Sequence, residues 1–299
     1  MIEERRIRVL TFLFWNFPCK DLAARPDALA ALARTAHHFR VDVLVLAETR
    51  ATPEEILNAL NVDSLTYELP GDPPGPHPKI RYYTRFPGMN LPPFRSDDRL
   101  DVRRLRWDDR SEVLMAAIHF YDRRNYNPED QAAKATGVYR TLRDAEIDCN
   151  HTRTILFGDL NMNPFENGMI NFESGFASVP TRSLAERHSE EDVKGLQRFY
   201  NPTWSRLGRE VPHAPGTYYF DSVSRPFNIF WHHLDQVLVR PSLFNAFPDE
   251  EFRILTSLPG PDGSPIELIR STGKHWALVY SDHLPILFKL DPPKELKHV

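Results

Sequence analysis

A series of short apolar runs, most of them closing on a polar residue, constrains this chain more than any other feature. Ile7–Trp15, Val41–Ala47, Val113–Phe120, Thr154–Phe157, Leu234–Val239 and Trp276–Tyr280, with Pro285–Leu290 following, are rich in β-branched and aromatic residues. They are too short for core helices and read as buried strands. Helices fall between some of them. Asp27–Arg40 is rich in Ala and Leu, which favour the helix. Thr52-Pro53-Glu54-Glu55 is a capping box with proline at the first helical position, opening a short helix through Leu60. Asn127-Pro128 opens another, with Ala132, Ala135 and Val138 leading at helical spacing to Leu142.

The early alternation of strand and helix gives way to strands separated by irregular stretches. Proline-rich loops are expected at Pro70–Pro78, Pro87–Pro93 and Leu258–Pro265, in keeping with 26 prolines in 299 residues. With no internal repeat and no low-complexity linker, residues 1–299 are expected to form one domain. The two cysteines, Cys19 and Cys149, fit free thiols, since neither number nor spacing suggests a disulfide framework or a metal cluster.

Charge narrows the function. A protein held to nucleic acid by bulk electrostatics is basic overall, whereas this chain carries a net charge of −4. Any nucleic-acid contact must come from a local patch, and small anionic substrates stay open. The apolar run that stops at Asn16 is too short for a membrane span, and the residues before it do not make a signal peptide, so a cytoplasmic location without membrane insertion is expected.

The ends of the runs carry the chemistry. Asn16 follows Trp15, Glu48 follows Ala47, and His119 and Tyr121 follow Ile118. Gly158-Asp159-Leu160-Asn161 follows Phe157, and Ser281-Asp282-His283 follows Tyr280. Ligands commonly gather beyond one end of a sheet's strands, so these residues read as one polar cluster. Hydrolysis of a phosphate ester needs charge neutralised, water activated and an alkoxide stabilised. Asn16, Glu48 and Asp282 would suffice to hold Mg²⁺, which takes a few oxygen ligands and keeps waters. Asp159 would orient or deprotonate water, and Asn161 would donate its amide to a phosphate oxygen. His283 would bond phosphate or protonate developing charge, with Asp235 fixing its tautomer.

In isolation each motif has a plainer reading. Asp159 and Asn161 are also turn formers, Asp282-His283 also fits a surface turn, and His119 also fits a packed core residue. The pairs His37-His38 and His232-His233 read as solvated or packed, because adjacent side chains diverge. The segment from Gln197 to Tyr219 interleaves Arg198, Trp204, Arg206, Tyr218 and Tyr219. Such residues stack on bases and neutralise phosphates, or they merely cover a sheet edge; both readings stand. Tyr121 and Lys274 are further candidate substrate contacts.

Taken in order, Trp15-Asn16, Ala47-Glu48, Ile118-His119, Gly158-Asp159-Leu160-Asn161, Leu234-Asp235-Gln236-Val237 and Ser281-Asp282-His283-Leu284-Pro285 resemble the endonuclease/exonuclease/phosphatase superfamily. That group includes abasic-site endonucleases, pancreatic-type deoxyribonucleases, inositol polyphosphate 5-phosphatases and neutral sphingomyelinases. The resemblance implies an α/β fold, a four-layer α/β/β/α sandwich with two mixed, mainly antiparallel β-sheets. It also implies hydrolysis of phosphoesters with a divalent metal, Mg²⁺ with Mn²⁺ as a possible substitute. Two departures stand out: His233 occupies a position where many relatives carry Arg, and Pro18 one where some nucleases carry a second acid. The leading expectation is a nuclease or phosphodiesterase acting on nucleic acid or a small nucleotide-containing diester. The alternatives are a phosphatase or phospholipase-like hydrolase of an inositol phosphate or lipid headgroup, and a binding module that has lost catalysis. Glu48, Asp159 and His283, whose loss would mark the last, are all present. No protein partner is indicated.

Overall fold

Alternation along the strands builds two hydrophobic faces at once. In the computed structural model, which describes residues 9–62, 66–73, 79–107, 112–173, 175–187, 197–209, 214–221, 229–271 and 276–293, the strand Leu10–Asn16 is buried throughout. Successive side chains of a strand point to opposite faces. Phe12 and Phe14 therefore join a core with Val113, Met115, Ala117, Ile155, Phe157, Val237, Val239, Ile286 and Phe288. Leu13 and Trp15 face the other way, onto Ala28, Leu29, Leu32 and Ala36 of the helix Arg25–His38.

Two large sheets result. The first has five strands in the order Arg253–Ile254, Ile286–Leu290, Leu10–Asn16, Val43–Ala47, Ile80–Thr84. The second has seven, in the order Pro93–Ser96, Leu100–Arg106, Glu112–His119, Thr154–Asp159, Asp235–Val239, Phe199–Tyr200, Ser178–Val179. Both are mixed and mainly antiparallel; among the described residues, parallel pairing occurs at Leu10–Asn16 with Val43–Ala47, Glu112–His119 with Thr154–Asp159, and Ser178–Val179 with Phe199–Tyr200. The helix Pro128–Asp148 covers the outer face of the second sheet, setting Ala135, Val138, Tyr139 and Leu142 against Leu114, Ala116, Ile118 and Leu156. The layers run helix, sheet, sheet, helix, as the sequence resemblance implies.

Local signals are realised as read. Thr52 accepts from the Glu55 backbone N–H at 3.2 Å while the Glu55 carboxylate accepts from the Thr52 N–H at 2.7 Å; removing such a cap costs about 1 kcal/mol. Asn127 caps Pro128–Asp148, which runs past the expected Leu142 because Ala145 and Glu146 are also buried. Both cysteines are free, Cys19 buried and Cys149 half-buried.

Three expectations are corrected. Trp276–Tyr280 is not a core strand: Trp276–Leu278 pairs with Ile269–Ser271 in a two-stranded ribbon, and Leu278, Val279 and Tyr280 are half-buried with Ala277 exposed. The core strand at this end is Ile286–Leu290, so Ser281-Asp282-His283 leads into a strand rather than closing one. Leu258–Pro265 is not simply a loop, since Ser257–Pro259 and Pro265–Glu267 pair as a second ribbon. Pro87–Pro93 likewise contains the 3₁₀ turn Gly88–Asn90. Among the described residues, no helix is long and apolar enough to cross a membrane.

Candidate active site

The same alternation that packs the sheets delivers the polar cluster. Asn16 continues the Phe12, Phe14 series, His119 the Met115, Ala117 series and Asp159 the Ile155, Phe157 series. Asp235 precedes Val237 and Val239 on the same face. All four thus lie on the faces the sheets turn toward each other. Register then brings them to one end: His119 pairs with Asp159, Asp159 with Asp235, and Asn16 with Ala47, one residue before Glu48. Phe14 faces Ile286, so the Ser281-Asp282-His283 turn enters beside Asn16.

Glycine makes one approach possible. Gly158 has φ 135°, and a Cβ there would come within 2.1 Å of the Ile118 carbonyl oxygen. Only glycine lets the strand carrying Asp159 lie this close to the strand carrying His119. Glu48 (φ 56°) and Asn161 (φ 51°) are also left-handed, a conformation that costs a glutamate more than an asparagine.

Hydrogen bonds join the sheets through the cluster. Asn16 Nδ2 donates to Asp159 Oδ2 at 3.0 Å, and the Asn161 backbone N–H donates to Asp159 Oδ1 at 2.9 Å. His119 Nε2 lies 3.2 Å from Glu48 Oε1 and 3.9 Å from Asp159 Oδ2. Asn161 Nδ2 donates to the Phe120 carbonyl at 3.0 Å, leaving its second N–H for a ligand. His283 Nδ1 lies 2.8 Å from Asp235 Oδ2. Ser281 Oγ donates to the Asn16 carbonyl and accepts from the His283 N–H at 3.0 Å, while Trp15 Nε1 donates to the His283 carbonyl at 2.9 Å. The serine and the indole therefore fix the turn against the first strand.

Charge is graded across the site. The hydrogen bond from His119 holds the Glu48 carboxyl down at about 2, with Lys20 and His283 adding to it and burial opposing. Burial raises Asp159, with Asp235 adding and His283 and His119 opposing. Burial would lower the His283 imidazole, but Asp235, Asp159 and Asp282 together raise it to about 10. The site thus combines a glutamate held toward its ionised form, a buried aspartate with heightened proton affinity and an imidazole whose protonated form the neighbouring acids favour. Pairs of groups pushed apart in this way divide acid and base roles.

These residues line a cleft of about 320 Å³. It includes Asn16, Glu48, His119, Asp159, Asn161, Asp282 and His283; Asp235 stands behind His283, fully buried. Among the candidate substrate contacts, Tyr218 lines the cleft, its ring 4.8 Å from that of His283. Tyr121, Arg198, Trp204, Arg206 and Tyr219 do not line it. The Tyr121 hydroxyl donates to Asp98, and Tyr219 packs on Trp231. Arg198 donates to the Arg187 carbonyl, and Trp204 meets Phe165 edge-on. Arg206 donates to the Asp249 and Phe252 carbonyls at 3.3 and 2.8 Å. Lys274 lies outside the described residues. The cleft also holds Lys20, Asp122, Arg123, Arg124, Asn125, Phe220 and His232, which the run-end pattern does not mark. For Asp122–Asn125 the one signal is position, beginning three residues beyond His119 at the end of its strand.

The profile of the Endonuclease/Exonuclease/phosphatase family matches residues 13–283, which takes in every one of these strand-end groups. The chain belongs to that family. Its members are phosphoester hydrolases that generally use divalent metal ions. Comparison with curated proteins by sequence finds no match. Solved structures share the fold. A family protein from Bacteroides thetaiotaomicron is 13% identical, with 95% of this chain and 98% of that chain covered at a TM-score of 0.57. TDP2 from D. rerio, complexed with a single-strand DNA product, is 14% identical, with 95% and 99% covered at 0.51. The human Nocturnin catalytic domain with bound sulfate is 12% identical, with 95% and 94% covered at 0.51.

The residues present fit a divalent ion. Asn16 Oδ1 is buried with no hydrogen-bond partner among the described residues. Glu48 offers an ionised carboxylate on the cleft, and Asp282 an exposed one. Hard oxygen donors of this kind are the ligands of Mg²⁺ and Mn²⁺ rather than of thiophilic metals. His233, two residues before Asp235, is buried away from the cleft, and burial lowers its imidazole to about 4. It adds no positive charge to the site at neutral pH.

Proposed function

We propose that this protein is a Mg²⁺-dependent phosphodiesterase, a single catalytic domain that hydrolyses nucleic acid or a nucleotide-containing diester at the strand-end cluster. The observation that carries this reading is Asp159: buried, oriented by Asn16 and Asn161, and set close to the His283 imidazole, which Asp235 holds at Nδ1. Asn16, Glu48 and Asp282 would hold the metal, Mn²⁺ being a substitute. When bound, it supplies charge neutralisation on the phosphoryl and leaving oxygens.

The chain's own groups account for the rest. Asp159 accepts a proton from the attacking water; its raised proton affinity suits a general base. Asn161 donates its second amide N–H to a non-bridging oxygen. His283, held by Asp235 at Nδ1, turns Nε2–H toward the phosphate, where charge builds as the P–O bond breaks. His119 keeps the Glu48 and Asp159 carboxylates apart in fixed orientation, and Tyr218 walls the phosphate side of His283. A DNA product in the D. rerio TDP2 structure supports a nucleic-acid substrate. The net charge of −4 and the modest cleft favour a short strand end or a small diester over a long duplex track.

A panel of plasmid, single-stranded DNA, RNA, bis(p-nitrophenyl) phosphate and inositol phosphates, each with Mg²⁺ and with EDTA, tests this. EDTA-sensitive cleavage of a diester is expected. Turnover of inositol phosphates alone would replace this reading with the phosphatase one, and no turnover on any ester would leave a binding module.

A further inference from the structure

The turn after His119 carries two adjacent arginines in the cleft, and both look like phosphate clamps. Arg123 is committed elsewhere. Its Nε donates to the Asn161 carbonyl at 3.0 Å, and Nη2 pairs with the Glu166 carboxylate. The same Glu166 oxygen accepts from the Asn163 backbone N–H at 3.0 Å and from Asn163 Nδ2 at 2.9 Å. Asn163 Oδ1 in turn accepts from the His233 N–H at 3.0 Å. On the other side, Gln131 Nε2 donates to that Asn161 carbonyl at 3.1 Å, and Gln236 Nε2 donates to the Met162 carbonyl at 2.6 Å. Successive carbonyls of the Asn161–Met162 stretch are thus gripped by three side chains from three different elements.

The grip matters because Asn161 is left-handed at φ 51° and follows the strand rather than lying in it. Backbone of this kind persists only where its surroundings hold it. We propose that Arg123 is a positioning residue: with Glu166 it holds the Asn161 peptide so that the Asn161 amide faces the scissile phosphate. It does not itself bind substrate. The claim rests on the phosphodiesterase reading. It also separates Arg123 from Arg124, which is exposed on the cleft wall.

Two measurements test it. In steady-state cleavage of bis(p-nitrophenyl) phosphate, Arg123→Ala should lower kcat about tenfold to hundredfold, as small misplacements of a catalytic group do, with KM nearly unchanged. In an Asn161→Ala background the same substitution should cost less than about twofold, since residues acting as one unit are not additive. Glu166→Gln cuts the ion pair yet keeps an oxygen for Asn163, so it should lower kcat in the same direction by less; it also serves if Arg123→Ala does not fold. In ¹⁵N-asparagine-labelled protein, both variants should shift the Asn161 side-chain amide signal. A raised KM with unchanged kcat, full additivity with Asn161→Ala, or an unmoved amide signal would overturn the proposal. An inactive wild type would defeat the phosphodiesterase reading instead, and the amide signal would then decide on Arg123 alone.

Discussion

The strand-end cluster and the stretch from residue 198 to 206 both combine charged and aromatic side chains, but they use them differently. In the cluster, groups keep unfilled capacity: Asn16 Oδ1 has no partner among the described residues, Asn161 has a spare N–H, and Asp282 stands exposed on the cleft. In the other stretch, Arg206 Nε and Trp204 Nε1 are also without a partner among the described residues, but neither residue lines the cleft; Arg206 caps the Asp249 and Phe252 carbonyls and Arg198 caps that of Arg187. Arg198 also lies 4.6 Å over the Phe172 ring, and Arg206 5.6 Å over Phe252. A guanidinium whose donors face main-chain carbonyls holds loops together; a carboxylate or amide facing a cavity awaits a ligand. Composition alone does not distinguish the two.

The largest effect is expected at His283. His283→Ala should lower kcat by about 10²–10⁴-fold, the usual worth of a positioned proton-transfer group, and should also lower stability, because it leaves the buried Asp235 carboxylate without its partner; a folded variant with the kcat of wild type would make His283 a packing residue. Asp235→Asn should follow with a smaller loss. It removes the foremost charge that raises His283 toward 10. The imidazolium would then deprotonate at lower pH, and the alkaline limb of the kcat profile should move acidward. At the other region, Arg206→Ala should leave kcat unchanged and cost about 1.5–3 kcal/mol of stability, the value of a charge-assisted hydrogen bond. Denaturant titration checks the second half, and a rise in KM would restore Arg206 to the substrate site.

A smaller effect concerns His232 and His233, both lowered by burial from 6.5 to about 4. The unfolded chain binds protons at these positions below about 6.5 and the folded chain does not until about 4. Their contribution is therefore intact above pH 6.5 and lost as pH falls from there toward 4. Melting temperature should decline across that window, and His233→Gln should flatten the decline; an unchanged slope would show that the acid sensitivity comes from elsewhere.

What is legible in the sequence depends on the kind of signal at each position. The core strands were legible because burial on both faces demands continuous apolar runs, and the capping box at Thr52 because it is a local exchange of hydrogen bonds. The cluster was legible because Asn16, His119 and Asp159 each end such a run. The segment Trp276–Tyr280 has the apolar content of a core strand, yet Leu278, Val279 and Tyr280 are only half-buried and Ala277 is exposed. Apolar content does not separate that from a core strand. Arg123 and His232 carry no run-end signal, since it is register between distant strands and a turn's path that bring them into the cleft. Tyr218 and Tyr219 are adjacent, and only the ladder to His232 and Trp231 decides which of them faces His283.

The role of Asp159 in activating water for phosphoester cleavage is decided by the single-turnover rate of Asp159→Ala against wild type on a DNA or bis(p-nitrophenyl) phosphate substrate in Mg²⁺. The rate should fall about 10²–10⁴-fold in a variant that remains folded. A rate equal to wild type would contradict that role.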